Sequence, residues 1–172
     1  MEHSLYDVDK EARFQKVYDA YMQDVYRLCF SYMKNKMDTE DAVQETFLRA
    51  YKALDTFRGE CQEKTWLTSI AINVCRNARK SAWLRRVDRR VTPEQLPVAT
   101  WDHYDQDAAD LAAAIQRLPN KLKEVVLLYY YQEISMPEIA GMIGISPSMV
   151  SKRIKKAHEQ LYSVLGKEFR HG

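Results

Sequence analysis

The sequence predicts an all-α fold made of two small helical domains joined by a linker. Three observations carry that reading. Apolar residues recur at spacings of three and four along most of the 172 residues. No segment alternates apolar and polar residues as a half-buried strand would. Glycine and proline, five of each, fall mostly where the periodic segments stop.

Residues 1–10 have no apolar period and read as a loose lead-in. A long helix is expected from Glu11, with Phe14, Val17, Tyr18, Tyr21, Val25, Leu28, Cys29 and Tyr32 on one face. Its end is expected at residues 34–36, where Lys34 and Lys36 suit a helix C-terminus. A second helix, DTEDAVQETFLRAYKAL, is expected from Asp38, with Asp38, Glu40 and Asp41 capping it and opposing its dipole. Val43, Phe47, Ala50 and Leu54 form the predicted buried stripe. Asp41, Gln44, Glu45, Leu48 and Lys52 fall on the far side, where a single leucine reads as ordinary surface on composition alone.

Residues 55–64 contain Gly59 and read as a loop, and a third helix is expected from about residues 63–65. Trp66, Ile70, Val74 and Ala78 mark its apolar side. Asn73, Arg76, Asn77 and Lys80 fall largely on other faces, where they suit either solvent or the base edges and phosphates of a nucleic acid. From Arg85 the period fades. Residues 85–107, with Pro93, Pro97 and mixed charge, read as a linker between domains at residues 1–84 and 108–172. Trp101 and Tyr104 are candidate tethers of that linker onto one domain. Helical period returns at Ala108 with Leu111, Ile115 and Leu118, breaks at Pro119, and resumes with Leu122, Val125, Val126, Tyr129 and Tyr130. The run Tyr129, Tyr130, Tyr131 reads as core and rim packing rather than a stacking platform.

The stretch SMPEIAGMIGISPSMVSKRIKKAHEQL, residues Ser135–Leu161, reads as a helix-turn-helix. Ser135 and Glu138 have capping-box spacing. Gly144 supplies a stop where positive φ is needed. Ser146 caps again, and Pro147 takes the first helical position, where a missing N–H costs nothing. In the second helix Val150, Ile154, Ala157 and Leu161 form one narrow stripe. Ser148, Ser151, Lys152, Lys155 and Lys156 point away from it, with Arg153 on a flank. From Ser146 to Lys156 four bases stand with no acid. Lysine and arginine neutralise phosphates, and serine and arginine also reach base edges.

Net charge is only +2, but it is unevenly spread. Between Arg76 and Arg90, seven bases (Arg76, Arg79, Lys80, Arg85, Arg86, Arg89, Arg90) stand against Asp88 alone. Two separated basic patches point to a protein that touches nucleic acid twice. Cys29, Cys61 and Cys75 have no C-x-x-C spacing, which argues against a disulfide framework and a zinc site, and Cys29 and Cys75 fall on apolar stripes as buried thiols. The longest apolar run, Val125–Tyr131, is far below the ~18 residues of a membrane span, and no signal peptide appears, so a cytoplasmic protein is expected. His3, His103, His158 and His171 are scattered. With no catalytic triad, metal cluster or phosphate loop, no enzyme, cofactor, metal or small-molecule substrate is expected.

Three stretches together resemble the extracytoplasmic-function (ECF) sigma factors, the compact class of bacterial RNA polymerase sigma subunits. DTEDAVQETFLRAYKAL at Asp38–Leu54 is similar to the family's D-x-E-D-x-x-Q-E-x-F signature. TFRGECQEKTWLTSIAINVCRNARK at Thr56–Lys80 resembles F-[RK]-x(n)-W-L-x-x-I-A-x-N. LPNKLKEVVLLYYYQEISMPEIAGMIGISPSMVSKRIKKAHEQL at Leu118–Leu161 resembles the pattern that runs from L-P-x-x-x-[RK] to E-I-A. The resemblance implies a region-two and a region-four domain. It assigns Asp41, Gln44, Glu45 and Leu48 to the clamp helices of the polymerase β′ subunit, which reverses the ordinary-surface reading of Leu48. It sets Lys64, Asn73, Arg76, Asn77 and Lys80 against the opened minus-ten element, where unstacking a base costs a few kcal/mol. It sets Ser148, Ser151, Lys152, Arg153, Lys155 and Lys156 on the minus-thirty-five element.

The implied partners are core RNA polymerase (β′ and β), promoter DNA and a membrane-linked anti-sigma factor. Asn77 and Arg79 depart from the aspartate and leucine many members carry, and Pro137 from a position often acidic or aromatic. No extra C-terminal domain is expected after Gly172. The competing functions are a stand-alone helix-turn-helix regulator and, more remotely, a nucleic-acid-processing enzyme with a helix-turn-helix tail.

Overall fold

The computed structural model describes the backbone of residues 2–87 and 106–168, and side chains over residues 8–82 and 109–166. Every regular element among the described residues is helical. The chain divides into two compact units, Met1–Pro97 and Val98–Gly172.

The first unit is a three-helix bundle of α1 (Glu2–Met33), α2 (Lys36–Ala53) and α3 (Glu63–Val87), each packed on the other two. Its core is built from Val17, Val25, Leu28 and Cys29 of α1, Phe47 and Ala50 of α2, Leu54 just beyond it, and Leu67, Ala71, Ile72, Val74 and Cys75 of α3. Helix α1 starts at Glu2, so residues 2–10 are not the loose lead-in expected. The expectation rested on a missing apolar period, but nothing there breaks a helix: no proline or glycine precedes Glu11. Lys10, in this early stretch, pairs with Asp55 and lies over the Tyr51 ring at 4.7 Å.

A two-residue joint links α1 to α2. Lys34 closes α1 at φ +63°, its N–H donating to Phe30 O at 2.9 Å. Asn35, not Asp38, is the cap of α2: its side-chain oxygen accepts the Asp38 N–H at 2.9 Å, and its Nδ2 donates to the Asp38 carboxylate at 2.7 Å. Lys34 is a lysine in the left-handed region, which costs a side-chain-bearing residue about 1 kcal/mol. Lys34→Gly is therefore expected to stabilise the unit by roughly 0.5–1 kcal/mol, seen as a raised urea midpoint at unchanged m-value. An unchanged or lowered midpoint would contradict the strain.

Two predicted stripes are off centre. On α2 the buried line is Thr39, Ala42, Thr46, Phe47 and Ala50, with Val43 only half-buried at its edge. On α3, Trp66, Ile70 and Ala78 are half-buried and only Val74 of the predicted set is core, because Leu67, Ala71 and Cys75 obey the same period one position on. Trp66 instead stacks on Phe57 (4.7 Å, 25°), sealing the loop after α2. Arg13 holds that loop from the other side, 6.0 Å over Phe57 and 3.9 Å from Glu63.

Cys29 and Cys75 face one another between α1 and α3, both fully buried and free. The Cys75 thiol is pushed far above the ordinary thiol range, first by its hydrogen bond with Cys29, then by burial and the Cys29 charge; Arg79 acts the other way. A raised folded-state value favours the neutral thiol. That contribution to stability is complete below the unfolded thiol value of 9.0 and is lost as pH rises above it. At pH 8 a thiol reagent is expected to label half-buried Cys61 quickly, and Cys29 and Cys75 only on unfolding. Equal labelling of all three in the native protein would refute this.

The second unit comprises α4 (Gln106–Arg117), α5 (Asn120–Val126), α6 (Met136–Ile143) and α7 (Pro147–Glu168), with α4, α5 and α6 all packed on α7. Ile115, Leu118, Leu122, Val126 and Ala157 form one core cluster, flanked by Leu127 and Leu161. Leu111 is exposed, so the α4 stripe narrows to Ala114 and Ile115, with buried Leu118 just beyond the helix end. Helix α5 runs on into a π-helical turn, Leu127–Tyr131, where the Gln132 N–H donates to Leu127 O at 3.0 Å. The wider turn changes the register after Leu128. Tyr129 is half-buried, while Tyr130 and Tyr131 are exposed and form rim rather than core. The Tyr130 hydroxyl hydrogen-bonds His158 Nε2 of α7 at 2.8 Å. The linker expected at residues 85–107 begins later than Arg85, since α3 runs to Val87, and Trp101 and Tyr104 lie outside the described residues.

Candidate nucleic-acid and polymerase interfaces

The helix-turn-helix is assembled from local capping. Ser135 donates its backbone N–H to Glu138 Oε2 at 3.2 Å and its hydroxyl to the same oxygen at 2.5 Å, and Pro137 sits in the first turn of α6. Gly144 ends α6 at φ +70°, a conformation glycine takes without Cβ strain, and its N–H and that of Ile145 both donate to Ala140 O. Ser146 then starts α7: its hydroxyl accepts the Met149 N–H at 3.2 Å, and its carbonyl accepts the Val150 N–H at 3.1 Å.

Val150, Ile154 and Ala157 are buried along one side of α7. Ser148, Ser151, Lys152, Lys155 and Lys156 are exposed on the other, with Arg153 half-buried between. Every residue predicted for this face is therefore brought together. Among the described residues no carboxylate pairs with any of its four cations. Met149 was missed by sequence reasoning. It is 42% exposed on this helix, one residue before fully buried Val150.

On α2, Asp41, Gln44 and Leu48 are exposed and Glu45 half-exposed, one stripe at spacings of three and four. Leu48 stands 47% exposed among them, and Glu45 pairs with Arg49 at 2.6 Å. Met37, 70% exposed one turn earlier, extends the stripe and was also missed. Its signal was present in the spacing 37, 41, 44, 48, but the helix was expected to begin after it.

On α3, Asn73, Arg76, Asn77 and Lys80 share one face, with Arg76 half-buried and the others exposed. Lys64 does not join them. Nine residues before Asn73, it lies about 13 Å along the axis and half a turn around, and it pairs with Asp24 of α1 at 3.3 Å. Arg79 sits 5.9 Å over the Tyr32 ring, so its side chain packs on α1 rather than extending the Asn73–Lys80 face. Among the described residues no His, Cys, Asp and Glu group could hold a metal, and no helix is long and apolar enough to cross a membrane.

Comparison with known proteins places both units. Residues 17–86 match the model of sigma-70 region 2, and residues 108–161 that of sigma-70, region 4. The RNA polymerase sigma factor SigV of Bacillus subtilis (strain 168) is 33% identical over 147 residues, 85% of this chain and 87% of that protein. The ECF RNA polymerase sigma factor SigX of the same organism is 31% identical over 155 residues, 81% of this chain and 77% of that protein. The solved structure of the sigma factor RpoE with the anti-sigma factor NepR, from Bartonella quintana, shares the fold, with TM-score 0.80 at 20% identity over 90% of this chain and 97% of that one. A helix-turn-helix preceded by a matching three-helix bundle, in relatives aligned over most of their length, leaves one assignment: the chain belongs to the sigma-70 family of RNA polymerase sigma factors, in its extracytoplasmic-function class.

Proposed function

We propose that this sigma factor directs core RNA polymerase to a small set of promoters through three separate faces. The stripe Asp41, Gln44, Glu45, Leu48 on α2 docks on the β′ clamp helices. The face Asn73, Arg76, Asn77, Lys80 on α3 meets the opened minus-ten element. The outer face of α7 enters the major groove of the minus-thirty-five element. The observation that carries the reading is that last face: four cations with no acid partner among the described residues, on a helix held from behind by buried Val150, Ile154 and Ala157. A duplex supplies phosphates for the lysines and base edges for the serines.

Lys64 contributes to the minus-ten surface only if its pair with Asp24 opens, so it ranks below the other four. The chain acts in the cytoplasm and carries no catalysis itself; synthesis belongs to the polymerase. An anti-sigma factor is its expected antagonist, and RpoE, of the same fold, is seen bound to one. A stand-alone regulator would have no use for the α2 stripe. Run-off transcription with purified core polymerase on a genomic promoter library tests the reading. Transcripts from a restricted promoter set are expected only when the chain is added. Tight operator binding without polymerase, and no promoter-specific transcription with it, would overturn it.

A further inference from the structure

In its first turn the exposed face of α7 holds an apolar residue, Met149, that phosphate contacts do not explain. Met149 lies on the same side as Lys152 and Lys156, at spacings of three and seven. It is 42% exposed, while its neighbours on that side are serine, lysine and arginine. Its place is rigid: its N–H is taken by Ser146 at 3.2 Å, and Val150 beside it is fully buried. It is the third residue of the helix, at the end from which recognition helices reach base edges. A protein partner covering Met149 would have to desolvate Lys152 and Lys156 beside it. A DNA duplex satisfies both, giving phosphates to the lysines and, in the major groove, one apolar group, the thymine 5-methyl.

We propose that Met149 is a specificity-determining residue, its thioether side chain packing on the 5-methyl of one thymine in the upstream promoter element. The inference rests on the reading of α7 as the element that enters that groove. It gives the face a sequence preference that lysines on phosphates cannot supply.

The test uses the full chain in complex with core polymerase, on a promoter found by the run-off screen. Each upstream-element thymine is replaced in turn by deoxyuridine, which removes only the methyl group. Binding is measured for the wild-type chain, Met149→Ala, Met149→Leu and Lys155→Ala. One replacement is expected to weaken wild-type binding about fourfold, the effect of withdrawing one methyl group from apolar contact. Met149→Ala should weaken binding to the thymine promoter by a similar factor and erase the thymine–deoxyuridine difference at that position alone, while Met149→Leu keeps it. If Met149→Ala leaves every such ratio as in wild type while Lys155→Ala still weakens binding, the Met149 assignment is wrong and the reading of α7 stands. If neither Lys155→Ala nor scrambling the upstream element changes binding, both fall together.

Discussion

Replacing Lys152, Lys155 and Lys156 together by alanine is expected to lower affinity for the upstream element roughly a hundredfold at physiological salt and to flatten its salt dependence by two to three units. The magnitude follows from counterion release. Each neutralised phosphate contributes a slope of about 0.9 in log K against log salt, so three lost cations remove about 2.7. The three side chains are exposed and, among the described residues, without acid partners, so their removal leaves the helix-turn-helix packing intact. Helicity and thermal midpoint should therefore stay put while the slope changes. Lys155→Ala alone should lower the slope by about one unit. An unchanged slope in the triple variant would take these lysines off the phosphates.

Asp41→Ala, Glu45→Ala and Leu48→Ala combined should weaken binding to core polymerase by roughly 10- to 100-fold. On the proposed docking, Leu48 would be the apolar anchor and the two carboxylates would steer and rim the contact. Glu45 also pairs with Arg49 across one helical turn, a bond of only a few tenths of a kcal/mol. The fold should thus lose little, and circular dichroism should match wild type. Co-purification with polymerase at wild-type yield would remove this stripe from the interface.

Local chemistry made the helix-turn-helix legible in advance. Ser135, Glu138, Gly144, Ser146 and Pro147 each act within a few residues of themselves, and the contacts they make are those their types and spacing imply. The stripe on α2 was legible as spacing, but its meaning was not. A leucine among acids reads as plain surface on composition alone. What escaped depended on distant packing. On α3, two interleaved apolar series satisfy one helical period, and only contact with α1 and α2 selects Leu67, Ala71 and Cys75 over Trp66, Ile70 and Ala78. The π-helical turn at Leu127–Tyr131 carries no compositional mark, so Tyr130 was expected on the inner stripe and lies outside. Lys34 is a lysine in a conformation that favours glycine, and no rule of composition announces it.

The joint at Lys34 and Asn35 has a consequence for how the α2 stripe is presented. Both of its residues are committed, one closing α1 and the other starting α2, which leaves no slack for the second helix to swing on the first. The acid-and-leucine stripe is thus displayed at a fixed angle to its bundle. A partner that seats on this stripe therefore meets a surface already set, and binding asks for no reorientation of one helix on the other.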